Sequence, residues 1–379
     1  HDALPISTDR KGYRIALNND REDPVWWRMT GSLVSVRNLT KSFVKENEWF
    51  KMNIRVEGRL VRVRINGETV VEYIEPSKPF RLKENAKALL SQGTISLVGT
   101  GRGNLQFKNI SLEAFSAKGI DIPAQWANAV DERTDEIIRL HQEDFPVLDY
   151  HVHLKGGLTK EVAARQSRQT GVNYGLAINC GIGFSITNDT ELYNYLDTMC
   201  TQPFILAMQA EGREWVTTFS EAARNSFDYV FTDAMTFLDH KGRRTHLWVN
   251  KEVIIDDEQA YMDMMLDRIC SVLEEPVDMY VNSCFLPDAM SDRYDMFWTE
   301  ERIDRFVNAL AKSGKALEIN ELYHIPNKAI IQKAKAAGVK FTFGSNNITP
   351  EVGTLDYCIR MKKECGLTAQ DMYKPHINI

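Results

Sequence analysis

Alternation with period two dominates the first third of the chain. Met52, Ile54 and Val56 alternate with polar neighbours, Glu57-Gly58 turns the chain, and Val61, Val63 and Ile65 then alternate with Arg62 and Arg64. Asn66-Gly67 turns it again before Thr69-Val70-Val71-Glu72-Tyr73 returns. Both central residues of a tight type I′ turn need positive φ, so Asn-Gly between alternating runs signals a hairpin. Ile95-Ser96-Leu97-Val98 and the run from Leu105 to Leu112 predict two more strands, with Gly99–Asn104 as a hairpin loop. That loop precedes a strand, so no helix N-terminus follows it to receive phosphate. Many short antiparallel strands with little helix predict a β-sandwich over residues 1–115. Between 116 and 145 the pattern changes to a linker. Gly119 and Pro123 break it, and Asp131–Gln142 predicts a charged lead-in helix.

From residue 146 strand-like and helix-like periods alternate. Apolar runs near 146–151, 173–179, 203–209, 228–233, 277–282, 316–320 and 340–344 predict seven strands. Thr159 can cap a helix over 160–170 with Gly171 ending it, and Thr299 can cap 300–312 ahead of Gly314. Pro326 can open a helix over 327–337, closed by Gly338. Seven β-α repeats over residues 146–379 predict a parallel barrel, whose chemistry sits at the C-terminal ends of its strands.

Composition narrows the field. With 379 residues and 43% hydrophobic content, the chain can fill two cores. No run of eighteen apolar residues occurs, so no membrane span is expected. The net charge of −6 hides an asymmetry: residues 1–120 hold 20 Lys/Arg against 13 Asp/Glu, and the remainder 26 against 39. The split agrees with two domains. No nucleic-acid-binding motif accompanies the basic part, so nucleic acid is not an expected partner. Six cysteines (180, 200, 270, 284, 358, 365) without a C-x-x-C pair predict reduced thiols rather than a disulfide framework or zinc finger. The sequons at Asn38, Asn109, Asn188 and Asn347 carry meaning only on a eukaryotic secretory route. Beginning at His1 without a signal-like segment, the chain reads as a processed product whose N-terminus does not give its compartment.

The candidate chemistry starts at Asp149-Tyr150-His151-Val152-His153, which closes the run Phe145-Pro146-Val147-Leu148. Side chains two apart on a strand share a face, so His151 and His153 project together and can hold a divalent metal. After the fourth strand, His240, Arg243, Arg244 and His246 form a basic loop; the histidines can ligate and the arginines can bind an anionic substrate group. Glu318, on the sixth predicted strand, and Glu321, just after it, could accept a proton from a metal-bound water, with capping or salt bridging as their alternative roles. His324 follows close behind. Cys180 could ligate a soft metal or simply be buried. Trp26, Trp27, Trp49 and Phe50 could stack on sugar rings or fill a core.

The second half resembles the PHP (polymerase and histidinol phosphatase) family of metal-dependent hydrolases. Its opening, DYHVHLKGG, is similar to that family's first motif, and Gly171–Ile178 follows a helix as that family would have it. The last block, Phe343-Gly344-Ser345-Asn346-Asn347 through Val352-Gly353, keeps the outline. The resemblance spans about 147–353. It implies a distorted (β/α)7 barrel holding up to three metals for phosphoester hydrolysis. Several ligand positions depart from the pattern: Asn179-Cys180-Gly181 stands for Thr-Asp-His, two further histidines fall near Met235 and on Asn282, and a final Asp-x-His becomes Asn346 and Ile348. Glycine and isoleucine cannot ligate, and asparagine is a weaker oxygen donor than aspartate. The resemblance therefore implies a reduced, mononuclear set: His151, His153 and Glu211, completed by Asp233, Asn346 or water. The cofactor expected is one divalent metal, with zinc, manganese and iron all open.

More faintly, residues 12–115 resemble the 3-keto-disaccharide hydrolase domain family, a concanavalin-like jelly-roll sandwich linked to saccharides. The carriers are Gly12–Ile15, Trp27–Ser32, Asn47–Lys51, Ile65–Val71, Gly93–Leu97 and Phe107–Ile110, without the family's opening strands. The expected function is hydrolysis of a carbohydrate-derived or phosphorylated small molecule at the barrel. The alternatives are a degenerate barrel that binds saccharide or serves as a scaffold, and cleavage of keto-sugars by the sandwich. A bacterial periplasmic or secreted setting is expected over a cytoplasmic one.

Overall fold

Strands β1 (Met52–Glu57), β2 (Leu60–Ile65) and β3 (Glu68–Ile74) pair antiparallel in the order β1-β2-β3. The turns fall where the sequence puts them, with positive φ at Gly58, Asn66 and Gly67. Alternation then sorts the side chains: Val61, Val63, Ile65, Val71 and Tyr73 pack with Leu33, Val36 and Val44 in one apolar cluster. This computed structural model describes residues 12–20, 22–99, 105–116, 118–239 and 241–377. His240 and most of the Gly99–Asn104 loop lie outside the described residues.

The two further strands expected in this part do not form ladders. Ile95–Val98 and Leu105–Leu112 are not in strands, and Ile95, Ile110 and Leu112 are 81%, 73% and 81% exposed. Alternation prepares a segment for a ladder, but only a partner strand supplies the hydrogen bonds, and neither run is paired with β1, β2 or β3. Trp26 and Trp27 are buried edge to face, whereas Trp49 is exposed beneath the Lys108 ammonium.

Residues 116–145 also differ from expectation. Pro123 opens a helix, Ile122–Ala127, whose cap Asp121 accepts from Ala124 N; proline is pre-shaped for a first helical turn. The charged helix is shorter than read, Glu136–Gln142, because Asp135 caps it by accepting from the N–H groups of Ile137 and Ile138. Just upstream, Glu132 is buried. It accepts from the Tyr73 hydroxyl (2.6 Å), Phe80 N (2.7 Å) and Arg81 Nη1 (2.9 Å).

The chain divides into two compact units, residues 1–147 with 161–173, and residues 148–160 with 174–379. The barrel strands are β4 (Leu148–Val152), β5 (Asn173–Cys180), β6 (Ile205–Ala210) and β7 (Tyr229–Thr232), then β10 (Met279–Tyr280), β11 (Ala316–Asn320) and β12 (Phe341–Gly344). They close in the order β10-β11-β12-β4-β5-β6-β7, the parallel barrel expected from the repeats. A small hairpin, β8 (Thr236–Leu238) with β9 (Arg244–His246), rises from the loop after β7. Thr299 caps Glu300–Ser313 and Gly314 ends it in the left-handed region, as read. At Lys328–Ala336 the cap is Asn327 rather than Pro326, because its side chain can accept from Ile330 N. Among the described residues no helix is long and apolar enough to cross a membrane.

Candidate active site at the barrel mouth

His151 and His153 come off the end of β4 fully buried, at 0% and 2% exposure. Their orientation is set through Nδ1. His151 Nδ1 meets Glu318 Oε1 at 2.6 Å, and His153 Nδ1 meets the carbonyl of Ala177 at 3.0 Å. A carbonyl can only accept, so the His153 proton sits on Nδ1 and its Nε2 carries a lone pair. The Glu318 carboxylate accepts from His151 Nδ1, and Gln209 Oε1 can accept from its Nε2 at 3.3 Å, an arrangement that puts a proton on each nitrogen of that ring where no ion is bound. The two Nε2 atoms face each other at 3.1 Å, with Gln209 Oε1 3.3 Å from that of His151. With a proton on His151 Nε2 this contact is an N–H···N hydrogen bond; with an ion present, both Nε2 atoms can turn their lone pairs to it. Two imidazoles on one tetrahedral ion stand roughly 3.3 Å apart, given bonds of about 2.0–2.1 Å. The spacing of the pair is compatible with a divalent ion, and Glu318 and Ala177 stand where the outer partners of such ligands stand. Burial and the neighbouring His151 hold the His153 pKa well below the usual imidazole range, which keeps it a neutral ligand.

Glu318 reaches His151 because Gly344, on the adjacent β12, has no side chain. A Cβ there would lie 2.2 Å from Glu318 Oε1 and 2.8 Å from His151 Cβ. The second Glu318 oxygen accepts from Asn282 N (2.8 Å) and Asn320 Nδ2 (2.9 Å). This carboxylate is committed to holding its neighbours. Its contacts are those of the salt-bridging alternative, holding the His151 ring and two neighbouring amides.

The remaining expected ligands are drawn into a second set of contacts. Glu211 Oε1 accepts from Asn179 Nδ2 at 2.7 Å. Asp233 Oδ2 accepts from Asn282 Nδ2 at 2.8 Å, and Asn282 Oδ1 accepts from both Asn346 Nδ2 (2.9 Å) and Asn320 Nδ2 (3.1 Å). Asn282 thus links Asp233 to Asn346. Among the described residues no three His, Cys, Asp or Glu side chains gather as a metal-holding group. Burial, then the Asp233 charge, pushes the Glu211 carboxyl up to about 8, against the lowering effect of Asn179, Lys155 and Arg213. Asp233 is raised too, chiefly by burial. Deeper, Asp149 Oδ1 accepts from the N–H groups of His151 and Ser345, and burial pushes this carboxyl up to about 6.

The loop candidates are paired with one another's neighbours. Arg243 bonds Asp239 (2.6 Å), Arg244 bonds Glu214 (2.7 Å), and His246 Nδ1 meets Glu252 (2.6 Å). Glu321 accepts from the N–H groups of Tyr357 (2.8 Å) and Cys358 (3.2 Å), at the start of the helix Asp356–Cys365. That is a capping role. Cys180 is fully buried, and burial pushes its thiol pKa up, as for a structural cysteine. His324 is stacked on Tyr357.

Sequence reasoning missed Gln209, Lys155 and Tyr323. Gln209 could have been found, since it lies two positions before Glu211 on β6 and shares its face. Tyr323 could not. Its ring is braced by Phe285 (4.8 Å between centroids), and burial, then the charges of Asp233 and Glu318, raise the pKa of its phenol.

Three comparisons bear on this architecture. No curated protein matches the chain. Among solved structures, the crystal structure of a histidinol phosphate phosphatase from Lactococcus lactis subsp. lactis Il1403, complexed with zinc, L-histidinol and phosphate, is similar at 13% identity and a TM-score of 0.42. The similarity covers 58% of this chain and 94% of that one. Residues 6–113 match the family model described as the 3-keto-alpha-glucoside-1,2-lyase-like domain.

Proposed function

We propose that the barrel is a metal-dependent hydrolase of a carbohydrate-derived or phosphorylated small substrate, working through one divalent ion on His151 and His153. The observation that carries this is the pair of facing Nε2 atoms 3.1 Å apart, each ring locked through its Nδ1. When bound, such an ion lowers the pKa of its water to near neutrality. Glu318 holds His151 in the ligating tautomer, and the Ala177 carbonyl does so for His153. Glu211 is the carboxylate proposed to join them, exchanging its Asn179 hydrogen bond for the ion, with Asp233 and Asn346 beside it through Asn282. Zinc, manganese and iron all suit two imidazoles and a carboxylate.

The test is elemental analysis of full-length protein purified without chelator, alongside His151→Ala. About one equivalent of zinc, manganese or iron is expected, absent from the variant. A carboxyl with its pKa near 8 must lose a proton to ligate, so metal affinity should rise with pH up to about 8 and level off beyond. No bound metal, and no affinity for added zinc, manganese or iron, would defeat the proposal.

That negative result would favour a second reading, a saccharide-binding barrel without turnover. The amide contacts that hold Asp233 and Glu211 are the observation behind it. A third reading places cleavage of keto-sugars in the first unit, supported by the match over residues 6–113. It requires that His151→Ala keep full turnover of a 3-keto-glycoside.

A further inference from the structure

We infer that the barrel mouth takes a neutral polyhydroxylated ring, a sugar or cyclitol, in preference to a phosphate ester. This rests on the reading above in treating the same mouth as the substrate site. Phosphate receptors offer free guanidinium forks or open helix N-termini, and here both kinds of group are engaged by the chain itself. Arg213 is held by Glu275 (2.8 Å), by Thr232 Oγ1 (3.0 Å) and by the carbonyl of Asp233 (3.0 Å). Arg243 and Arg244 are committed to Asp239 and Glu214. Four of the helices among the described residues are closed in the same way. Asn188, Asp257, Thr299 and Asn327 each accept from an N–H of the first turn they precede. At the last barrel helix the Glu321 carboxylate already occupies the N–H groups that a phosphate would use.

Charge points the same way. Glu211, Asp233 and Glu318 are buried carboxylates at 4%, 4% and 1% exposure. Lys155 lies within electrostatic range of Glu211, and Arg213, the other cation acting on that carboxylate, is already paired with Glu275. A neutral polyol suits the rest of this floor: the Glu211 carboxylate can accept from hydroxyls, and the amides of Asn179 and Asn346 both donate and accept. Half-buried Tyr323, packed T-shaped against Phe285 and within electrostatic range of Asp233 and Glu318, brings an aromatic ring to this polar floor, the pairing that an amphipathic sugar ring needs.

The test is equilibrium binding to the full-length, metal-analysed protein. The probes are a panel of neutral mono- and disaccharides, each set against its phosphate ester, with inorganic phosphate alongside. At least one neutral sugar should bind about tenfold more tightly than its phosphate. Tyr323→Ala should weaken that sugar about tenfold while Tyr323→Phe keeps it, with metal content unchanged in both. Asp233→Asn gives a second variant, expected to weaken the sugar even where Tyr323→Ala fails to fold. Tighter binding of the phosphates, no binding by any neutral sugar, or sugar affinity indifferent to Tyr323 and Asp233 would each overturn the inference. Because metal content is read on the same samples, those outcomes stand apart from failure of the metal-centred reading.

Discussion

Glu318 shows how one buried carboxylate can organise a site without reacting. It binds His151 Nδ1, Asn282 N and Asn320 Nδ2 at once, and it does so through the gap that Gly344 leaves. Replacing it by glutamine keeps the shape but weakens the charge-assisted bond that fixes the His151 tautomer. Outer contacts of this kind are worth 10- to 100-fold in metal affinity. Glu318→Gln is therefore expected to lower zinc affinity by about that factor, measured by competition with a chromophoric chelator, while the melting transition survives. Unchanged affinity would mean that Glu318 is only a structural anchor. Asn282 and Asn346 show a different residue-scale logic. Both sit in the left-handed backbone region, at φ 48° and 47°. Asparagine tolerates that conformation better than most side chains, so the backbone gives a reason for asparagine here that is independent of any ligand.

Among the elements, the seven barrel strands were legible because both of their faces are buried, which leaves continuous apolar runs bounded by turn residues. Glycine and capping residues marked the helices for the same local reason. Ile95–Val98 and Leu105–Leu112 were misread because alternation reports a strand's faces but not its partner. The site was half legible. His151 and His153 followed from period two, whereas the Tyr323 contact depends on loops converging from separate strands, which no local pattern records. Within the barrel the tightest element-scale constraint is Gly175 on β5. A Cβ there would stand 1.9 Å from the Tyr229 hydroxyl, which donates to the Tyr150 carbonyl at 2.6 Å. Gly175→Ala should destabilise the barrel by about 1–3 kcal/mol through overpacking. Adding Tyr229→Phe should restore part of that loss, since the clashing atom is the one removed. A urea-denaturation double-mutant cycle reads the coupling, and strict additivity would show the clash is relieved elsewhere.

At the scale of the whole molecule, His141 and Glu211 should bias their two units in opposite senses with pH, while in the barrel the lowered His153 opposes Glu211 on the acid side. In the first unit, His141 is fully buried, accepts from Asn38 N through Nδ1 (3.4 Å) and places Nε2 on the Gly171 carbonyl (2.9 Å). Burial and the nearby Arg37 charge lower its pKa from 6.5 to about 3. Between those values the unfolded chain binds a proton that the folded unit refuses, so stability falls as pH drops below 6.5 and continues falling toward 3. In the second unit Glu211 is raised from 4.5 to about 8. There the folded, metal-free barrel holds the extra proton, and stability falls as pH rises across that window. Each group contributes a slope of about 1.4 kcal/mol per pH unit inside its window. Hydrogen exchange resolved by peptide, run on metal-free protein from pH 4 to 8, separates the two trends. His141→Gln, which can keep a donor to Gly171, should flatten the acid-side loss in the first unit alone. Glu211→Gln should flatten the alkaline-side loss in the barrel alone. If either variant alters both units equally, the titration belongs to some group other than the one replaced.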